Sequence, residues 1–214
     1  MKKTLFIYGS GGFGKEVFDI AIRMGVFREI SFIDDFEYDN ITTFNSSYVF
    51  ENFNKNEDYF FTVAIGDIYV RNSIIVKVLS EGGVFATLID PSAVISPTAK
   101  IGDGVIVCQL AFVGPDAEID SYCIVNTAAI IGHDIKISSY SVISPSVNIG
   151  GQSTIGSSVY LGMGSIIKEG LNIGQNAVLG MGSVLHNDLP GSMLAMGNPA
   201  RPIRKIDDDF RIFN

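Results

Sequence analysis

The chain has 214 residues, 15 basic against 23 acidic side chains and a formal net charge of −8, with a mean hydropathy of +0.31. No apolar run approaches the roughly 18 residues of a membrane-spanning helix, and the negative charge removes the basic surface that sequence-independent DNA or RNA binding requires. Cys108 and Cys123 are too few for a disulfide framework or a zinc site, and the apolar block before Gly9 is too short for a signal peptide, so a soluble cytoplasmic protein is expected.

Residues 4–8 (Thr-Leu-Phe-Ile-Tyr) read as a buried strand. Gly9, Gly11 and Gly14 follow in a Gly-x-Gly-x-x-Gly spacing. Apolar residues at Val17, Phe18, Ile20, Ala21 and Met24 predict a helix over 15–24. A second strand over 29–33 ends in Asp34 and Asp35. Asp34 lies 20 positions after Gly14, the offset of a dinucleotide-binding fingerprint. Glycines let a backbone approach a phosphate, and a helix N-terminus attracts it. The two carboxylates can accept hydrogen bonds from ribose or base donors. Residues 38–56, rich in Asn and carrying Tyr48, Phe50 and Phe53, are a connecting stretch with no clear assignment. A third strand over 60–65, the loop Gly66-Asp67, a helix over 69–80 carrying Arg71 and a strand over 84–89 complete this half. Residues 1–88 make one βαβ-type unit, which can hold a nucleotide but not the partner domain of a hydride-transfer enzyme. An NAD oxidoreductase is set aside on that ground.

From Ile95 an aliphatic residue recurs every six positions without a break: Ile95, Ile101, Val107, Val113, Ile119, Val125, Ile131, Ile137, Ile143, Ile149, Ile155, Leu161, Ile167, Ile173, Leu179 and Leu185. Ile89 extends the series backward. A mostly small residue sits four positions after each anchor, as at Ala111, Cys123 and Ser141, and glycine often follows the anchor, as at Gly102, Gly132 and Gly150. A period of six fits short strands joined by tight corners, with the anchors pointing inward and glycine tolerated at the corner. Three sextets close one triangular coil, so residues i and i+18 stack about 4.8 Å apart, the inter-strand spacing of a sheet. After the last coil, residues 191–214 are the one segment with a basic excess, 4 basic against 3 acidic side chains.

The repeat over 89–190 resembles the hexapeptide-repeat left-handed β-helix of acyltransferases. Together with residues 8–14, Ile33-Asp34-Asp35, Ala64-Ile65-Gly66, Arg71, Asn126-Thr127 and Gly197-Asn198-Pro199-Ala200, it makes nearly the whole chain similar to the sugar O/N-acetyltransferases. These are the sialic acid O-acetyltransferase-like family, and especially its bacterial N-acetyltransferases acting on UDP-4-amino-sugars of the bacillosamine type. The resemblance implies a Rossmann-like nucleotide-sugar-binding half-domain over 1–88, a left-handed β-helix over 89–190 and a C-terminal tail over 191–214. It implies acetyl-CoA as donor, no metal, a nucleotide-linked amino-sugar as acceptor and a homotrimer with active sites between subunits. Matched position by position, Ser10, Gly11, Gly12, Phe13, Asp34 and Asp35 would bind the nucleotide, with Gly66, Arg71 and Asn126 also at the substrate. His133 and Asp134 match the family's catalytic histidine and following acid, and Gly151, Met163 and Met181 its acetyl-CoA groove. Asp134 replaces a frequent Glu, Phe13 stands where histidine occurs in relatives, and Val142 stands where the bacillosamine enzyme has a second histidine near the acetyl group. Arg201, Arg204 and Lys205, with Lys168, are expected on the polyanionic CoA phosphates; Arg201 and Lys205 lead that set.

The chemistry asks for a base of near-neutral pKa as an amine loses its proton on attack, and histidine has that value unperturbed. His133 is just past the corner Gly132, with Pro115 and Gly151 at ±18 in the stack. Asp134 would orient it as a triad carboxylate does, and the Gly151 N–H would donate to the thioester oxyanion. His186 reads as structural or solvent-facing and Cys123 as core, while Cys108 has no nearby histidine to activate it. A γ-type carbonic anhydrase needs three zinc histidines, and the chain has two. Two alternatives stand beside N-acetylation: O-acetylation of a sialic-acid-like sugar, which the same residues would serve, and a non-catalytic nucleotide-sugar-binding trimer, against which His133-Asp134 and the basic tail speak.

Overall fold

A computed structural model describes residues 3–35, 43–52, 58–207, 210 and 212. The chain divides into two compact units, Met1–Pro91 and Ser92–Asn214.

The first unit runs β1 (Thr4–Tyr8), α1 (Gly12–Met24), β2 (Glu29–Ile33), β3 (Thr43–Phe44), α2 (Ser46–Asn52), β4 (Tyr59–Val63) and α3 (Ile68–Ser80). Its sheet is parallel, in the order β3-β2-β1-β4. A parallel sheet must be covered on both faces, and aromatic residues at alternate positions do this. Ile7 pairs with Phe32, and Phe32 stacks on Phe18 of α1, ring centroids 5.5 Å apart. Phe6 pairs with Phe61 on the opposite face, where Phe61 stacks on Phe50 of α2 at 6.1 Å. Helix α1 begins at Gly12, three residues before the start expected from the apolar spacing. Gly14 lies inside it, against the Gly9 carbonyl, where a β-carbon would collide. Gly25, in left-handed conformation (φ 65°), ends it with its N–H on the Ile22 carbonyl. Asp67 caps α3 by accepting from the Tyr69 and Val70 N–H groups, each at 3.0 Å. The stretch 38–56 contains β3 and α2; Phe53 and residues 38–42 and 54–56 lie outside the described residues. The strand expected over 84–89 forms only a bridge from Phe85 to Phe61 and a two-residue strand, Leu88–Ile89.

The second unit is a parallel β-solenoid. Each two-residue strand ends on a repeat anchor, from Val94–Ile95 to Val184–Leu185, and those up to Ile166–Ile167 pair 18 residues on, as Ile130↔Asn148, Lys136↔Thr154 and Val142↔Tyr160 do; in the last coil the offset is 16, as Val178↔Leu194 and Ile173↔Leu189 show. Every anchor from Val107 onward is buried. The glycines after the anchors do not supply the corner's unusual backbone. Left-handed φ values fall two residues later, at Leu110 (57°), Asp116 (56°), Ala128 (55°) and Asp134 (54°), and so on every six residues. That twist turns the N–H towards the coil before it: Asp134 N–H reaches the Pro115 carbonyl and Gln152 N–H the His133 carbonyl, both at 2.9 Å. The glycines serve close stacking instead. A β-carbon on Gly132 would sit 2.8 Å from the Gly151 nitrogen, and one on Gly102 2.6 Å from the Ser121 nitrogen.

The residue before each anchor points outward and gives each of the three faces its character. One face carries Lys100, Glu118, Lys136, Thr154 and Asn172; a second carries Ile106, Ile124, Val142 and Val178, all buried, with the half-buried Tyr160 among them; the third carries Val94, Phe112, Ile130 and Ile166, all exposed, with the half-buried Asn148 and Val184. A strand at Met193–Gly197 extends the second face, and Ala200–Lys205 folds back on it as an antiparallel hairpin.

Candidate active site

In the first unit, a cavity of about 730 Å³ opens at the C-terminal ends of β1, β2 and β4. This is the size of a small-ligand site, and it lies at the point where strand order reverses, as ligand crevices of open α/β sheets do. Gly11, Gly12, Phe13, Asp34, Asp35 and Gly66 all line it, as expected from the sequence. Nothing stands within 4 Å of where β-carbons on Gly11 and Gly12 would be, so their backbone is open to a ligand. Gly9 has a different reason to be glycine: its φ is +102°, and a β-carbon would lie 2.9 Å from the Ala64 carbonyl oxygen.

Four expected substrate residues, Ser10, Asp34, Asp35 and Arg71, are also held within the fold. Ser10 is buried behind the lining, and its N–H and O–H both donate to Asp34 Oδ2 at 2.8 Å. Asp35 Oδ1 accepts from the Ser46 N–H (2.9 Å), and its Oδ2 accepts from the Tyr8 hydroxyl (2.9 Å) and the Ser46 hydroxyl (3.0 Å). Partial burial pushes the Asp35 carboxyl up, but these donors and the nearby Lys77 charge outweigh it and hold the group below its ordinary value. The carboxylates therefore tie the end of β2 to β1 and α2, rather than standing free for a ribose. Arg71 is 1 % exposed, on the inward stripe of α3 with Ile68, Ile75 and Val78, and does not line the cavity.

Lys77 does line it, and the sequence reading missed it. The available signal was helical spacing: Val70, Ser73, Ile74 and Lys77 share one stripe of α3, and all four face the cavity.

In the second unit, the corner after Ile131 projects His133 and Asp134 the same way. His133 Nδ1 lies 2.7 Å from Asp134 Oδ2, with the side chains 60 % and 54 % exposed. The left-handed backbone of Asp134, which Asp tolerates better than most residues, brings its carboxylate beside the ring. Gly151 is one coil further on. A methyl group there would sit 2.6 Å from His133 Nε2 and 2.7 Å from Cε1, so the imidazole lies over the glycine. The Gly151 N–H has no hydrogen-bond acceptor among the described residues.

The other expected acetyl-CoA residues divide between places. Met163 and Met181 are exposed and stack one coil apart on the far edge of the same apolar face; the Gly182 N–H meets the Met163 carbonyl at 2.8 Å. Asn126 sits at that far edge in the coil of His133, with its Oδ1 accepting from the Thr127 N–H at 2.7 Å. Val142 is not beside the histidine. It is buried on a different face, on the strand before the anchor Ile143, paired with Ile124 and Tyr160. Arg201 and Lys205 are exposed on the terminal hairpin. Arg204 lies over the Phe210 ring, 5.1 Å from its centroid. His186 is exposed, and Cys108 and Cys123 are buried free thiols. No cluster of three or more potential metal ligands occurs among the described residues, nor is any of their helices long and apolar enough to cross a membrane.

The model of the family described as PglD N-terminal domain matches residues 4–78, and that of the GMPPB C-terminal domain matches residues 84–189. The chain is similar to the acetyltransferase domain of PglB from Neisseria gonorrhoeae: 32 % identity over 94 % of this chain and 100 % of that one, TM-score 0.89. That domain in complex with acetyl coenzyme A matches at 30 % identity over 95 % and 100 % of the two chains, TM-score 0.89. PerB from Caulobacter crescentus, in complex with CoA and GDP-perosamine, is 28 % identical over 94 % and 97 %, TM-score 0.87. The fold is thus a Rossmann-like unit followed in sequence by a left-handed parallel β-helix of about six turns.

Proposed function

The chain belongs to the acetyl-CoA-dependent sugar N-acetyltransferases of the bacillosamine and perosamine type, and from that premise we propose that it acetylates the 4-amino group of a nucleotide-linked amino-deoxy-sugar with His133 as general base. The observation that carries this reading is the His133 ring itself. Its Nδ1 is taken by Asp134 at 2.7 Å, which leaves Nε2 as the basic nitrogen, above Gly151 on a side chain that is 60 % exposed.

The chemistry follows from that geometry. As the sugar amine attacks the thioester carbonyl, its proton passes to Nε2. Asp134 stabilises the resulting imidazolium, as the carboxylate of a triad does. The oxyanion of the tetrahedral intermediate accepts a hydrogen bond from the Gly151 N–H. Collapse breaks the carbon–sulfur bond, and the departing thiolate takes the proton from Nε2 to leave as CoA thiol. One amide forms, one thioester is consumed and His133 returns to its neutral state. The nucleotide would lie in the cavity of the first unit against Gly11, Gly12 and Phe13, with its phosphates at the start of α1. Arg201 and Lys205 would meet the CoA phosphates.

The working form proposed is a cytoplasmic homotrimer with acetyl-CoA held between subunits. Support comes from the exposed ladder Val94, Phe112, Ile130 and Ile166, with the half-buried Asn148 between the last two, since large apolar side chains gathered on one protein surface mark an interface. His133 and Gly151 border that strip on one edge, and Asn126, Met163 and Met181 on the other. Packing two copies along it would bring the two sets of residues together.

The test is His133→Ala. With acetyl-CoA and a nucleotide 4-amino-sugar, CoA release should fall about 100-fold or more, the range expected for loss of a general base, while the assembly stays intact. Activity equal to wild type would remove His133 from the mechanism.

A further inference from the structure

Three charged side chains line the cavity of the first unit: Asp34, Asp35 and Lys77. The sequence motif draws attention to the two carboxylates, yet Asp34 Oδ2 already accepts two hydrogen bonds from Ser10 and the Asp35 oxygens three from Tyr8 and Ser46. The ammonium of Lys77 is less engaged. It stands 3.5 Å from the Ser46 hydroxyl oxygen and 5.1 Å from the centroid of the Phe50 ring, on an exposed residue. The cavity therefore offers a ligand a charged donor with free protons at a place where the motif promises acceptors.

The position of that donor along the cavity is fixed by the sheet. Glycines 11 and 12 open α1, which packs on the Phe32 face of the sheet through Phe18. Lys77 contacts Phe50, which stacks on Phe61 and so belongs to the opposite face. A ligand with its phosphates at the start of α1 presents its other end to Lys77. In a nucleotide-linked sugar reaching across the strand ends, that end is the base.

Resting on the acceptor class proposed above, we propose that Lys77 is the base-reading residue of this cavity, its Nζ donating to a carbonyl oxygen of the nucleobase. Uracil, thymine and guanine each offer such an oxygen. Adenine offers an amino group there, which would meet the ammonium donor to donor, an arrangement that selects against it. The cavity then distinguishes keto bases from adenine through one side chain, leaving the carboxylates to hold the loop.

The test uses the full-length protein and calorimetric binding of UMP, TMP, GMP and AMP, with uridine and inorganic pyrophosphate as separate arms. Wild type should bind at least one keto nucleotide about 10-fold more tightly than AMP, the factor expected for one charged hydrogen bond in a solvent-open site. Lys77→Met should erase that preference and weaken uridine and UMP by the same factor, leaving pyrophosphate unchanged. Lys77→Arg should restore part of it. An unchanged base preference in Lys77→Met would overturn the assignment, as would a loss confined to pyrophosphate, which would make Lys77 a phosphate ligand. Lys77 is exposed, so the variant should fold, and an unchanged thermal midpoint would show that it has. Turnover reports on the acetyltransferase reading separately: failure to acetylate any nucleotide amino-sugar would sink that reading, whereas an unchanged base preference in Lys77→Met with turnover intact would sink only the role of Lys77.

Discussion

Two glycines one coil apart respond differently to a methyl group. On Gly151 it would press on the His133 ring, at 2.6 Å from Nε2, whereas on Gly132 it would press on backbone, at 2.8 Å from the Gly151 nitrogen. A side chain at the surface can swing away, but stacked coils cannot. Gly151→Ala should therefore keep its thermal midpoint while kcat falls about 10-fold or more, because a displaced base loses its alignment. Gly132→Ala should instead lose about 1–3 kcal/mol of stability, the usual cost of overpacking, read by denaturant unfolding. Equal effects of the two on stability would remove the distinction. His133-Asp134 stood out in the sequence because histidine is rare in this chain. That Gly151 lies under the ring was legible from the 18-residue stack. The joint orientation of His133 and Asp134 was not, because it depends on the left-handed backbone at Asp134, which spacing does not reveal.

Among the elements, the end of β2 is held by groups that the sequence suggested were ligand contacts. Asp35 fastens it to Tyr8 of β1 and to Ser46 at the start of α2. Since hydrogen bonding lowers its pKa in the folded state, its contribution to stability is fully present above the unfolded value of about 3.9 and is lost as pH falls through the lower folded value. Asp35→Asn should therefore unfold more readily than wild type at pH 7, with the gap closing below about pH 3.9. A gap that persists in acid would mean the loss is one of packing rather than charge. Strands β1, β2 and β4 and helices α1 and α3 were visible in the apolar periodicity. Helix α2 was not, because its seven residues are too few for a period to declare itself. That Arg71 would fall on the buried stripe of α3 was not legible for a related reason: which face of a helix turns inward is settled only when the helix docks.

For the whole molecule, the high hydropathy and low charge trace to one architecture. Sixteen inward anchors need few polar neighbours, and one outward face repeats apolar residues where another repeats Lys, Glu and Thr. Ile130, 45 % exposed at the middle of the apolar ladder, is the place to break the proposed trimer. Ile130→Lys should shift the sedimenting species from trimer towards monomer and lower turnover with it, and a trimer of unchanged stability would place the subunit contact elsewhere. The coils of the solenoid were legible because their period is uninterrupted, whereas the backbone of its corners and the partner of its apolar face were not, since spacing does not reveal a left-handed residue and one chain holds only half of an interface.

The most direct measurement of the central claim is the initial rate of CoA thiol release from acetyl-CoA with a panel of UDP-, dTDP- and GDP-linked 4-amino-sugars, run side by side for wild type and His133→Ala. The expected result is turnover of at least one acceptor by wild type, with one acetyl group gained on the sugar nitrogen by mass spectrometry, and a rate about 100-fold lower or less in the variant. Equal rates in the two proteins, or acetylation of a hydroxyl in place of the amine, would contradict it.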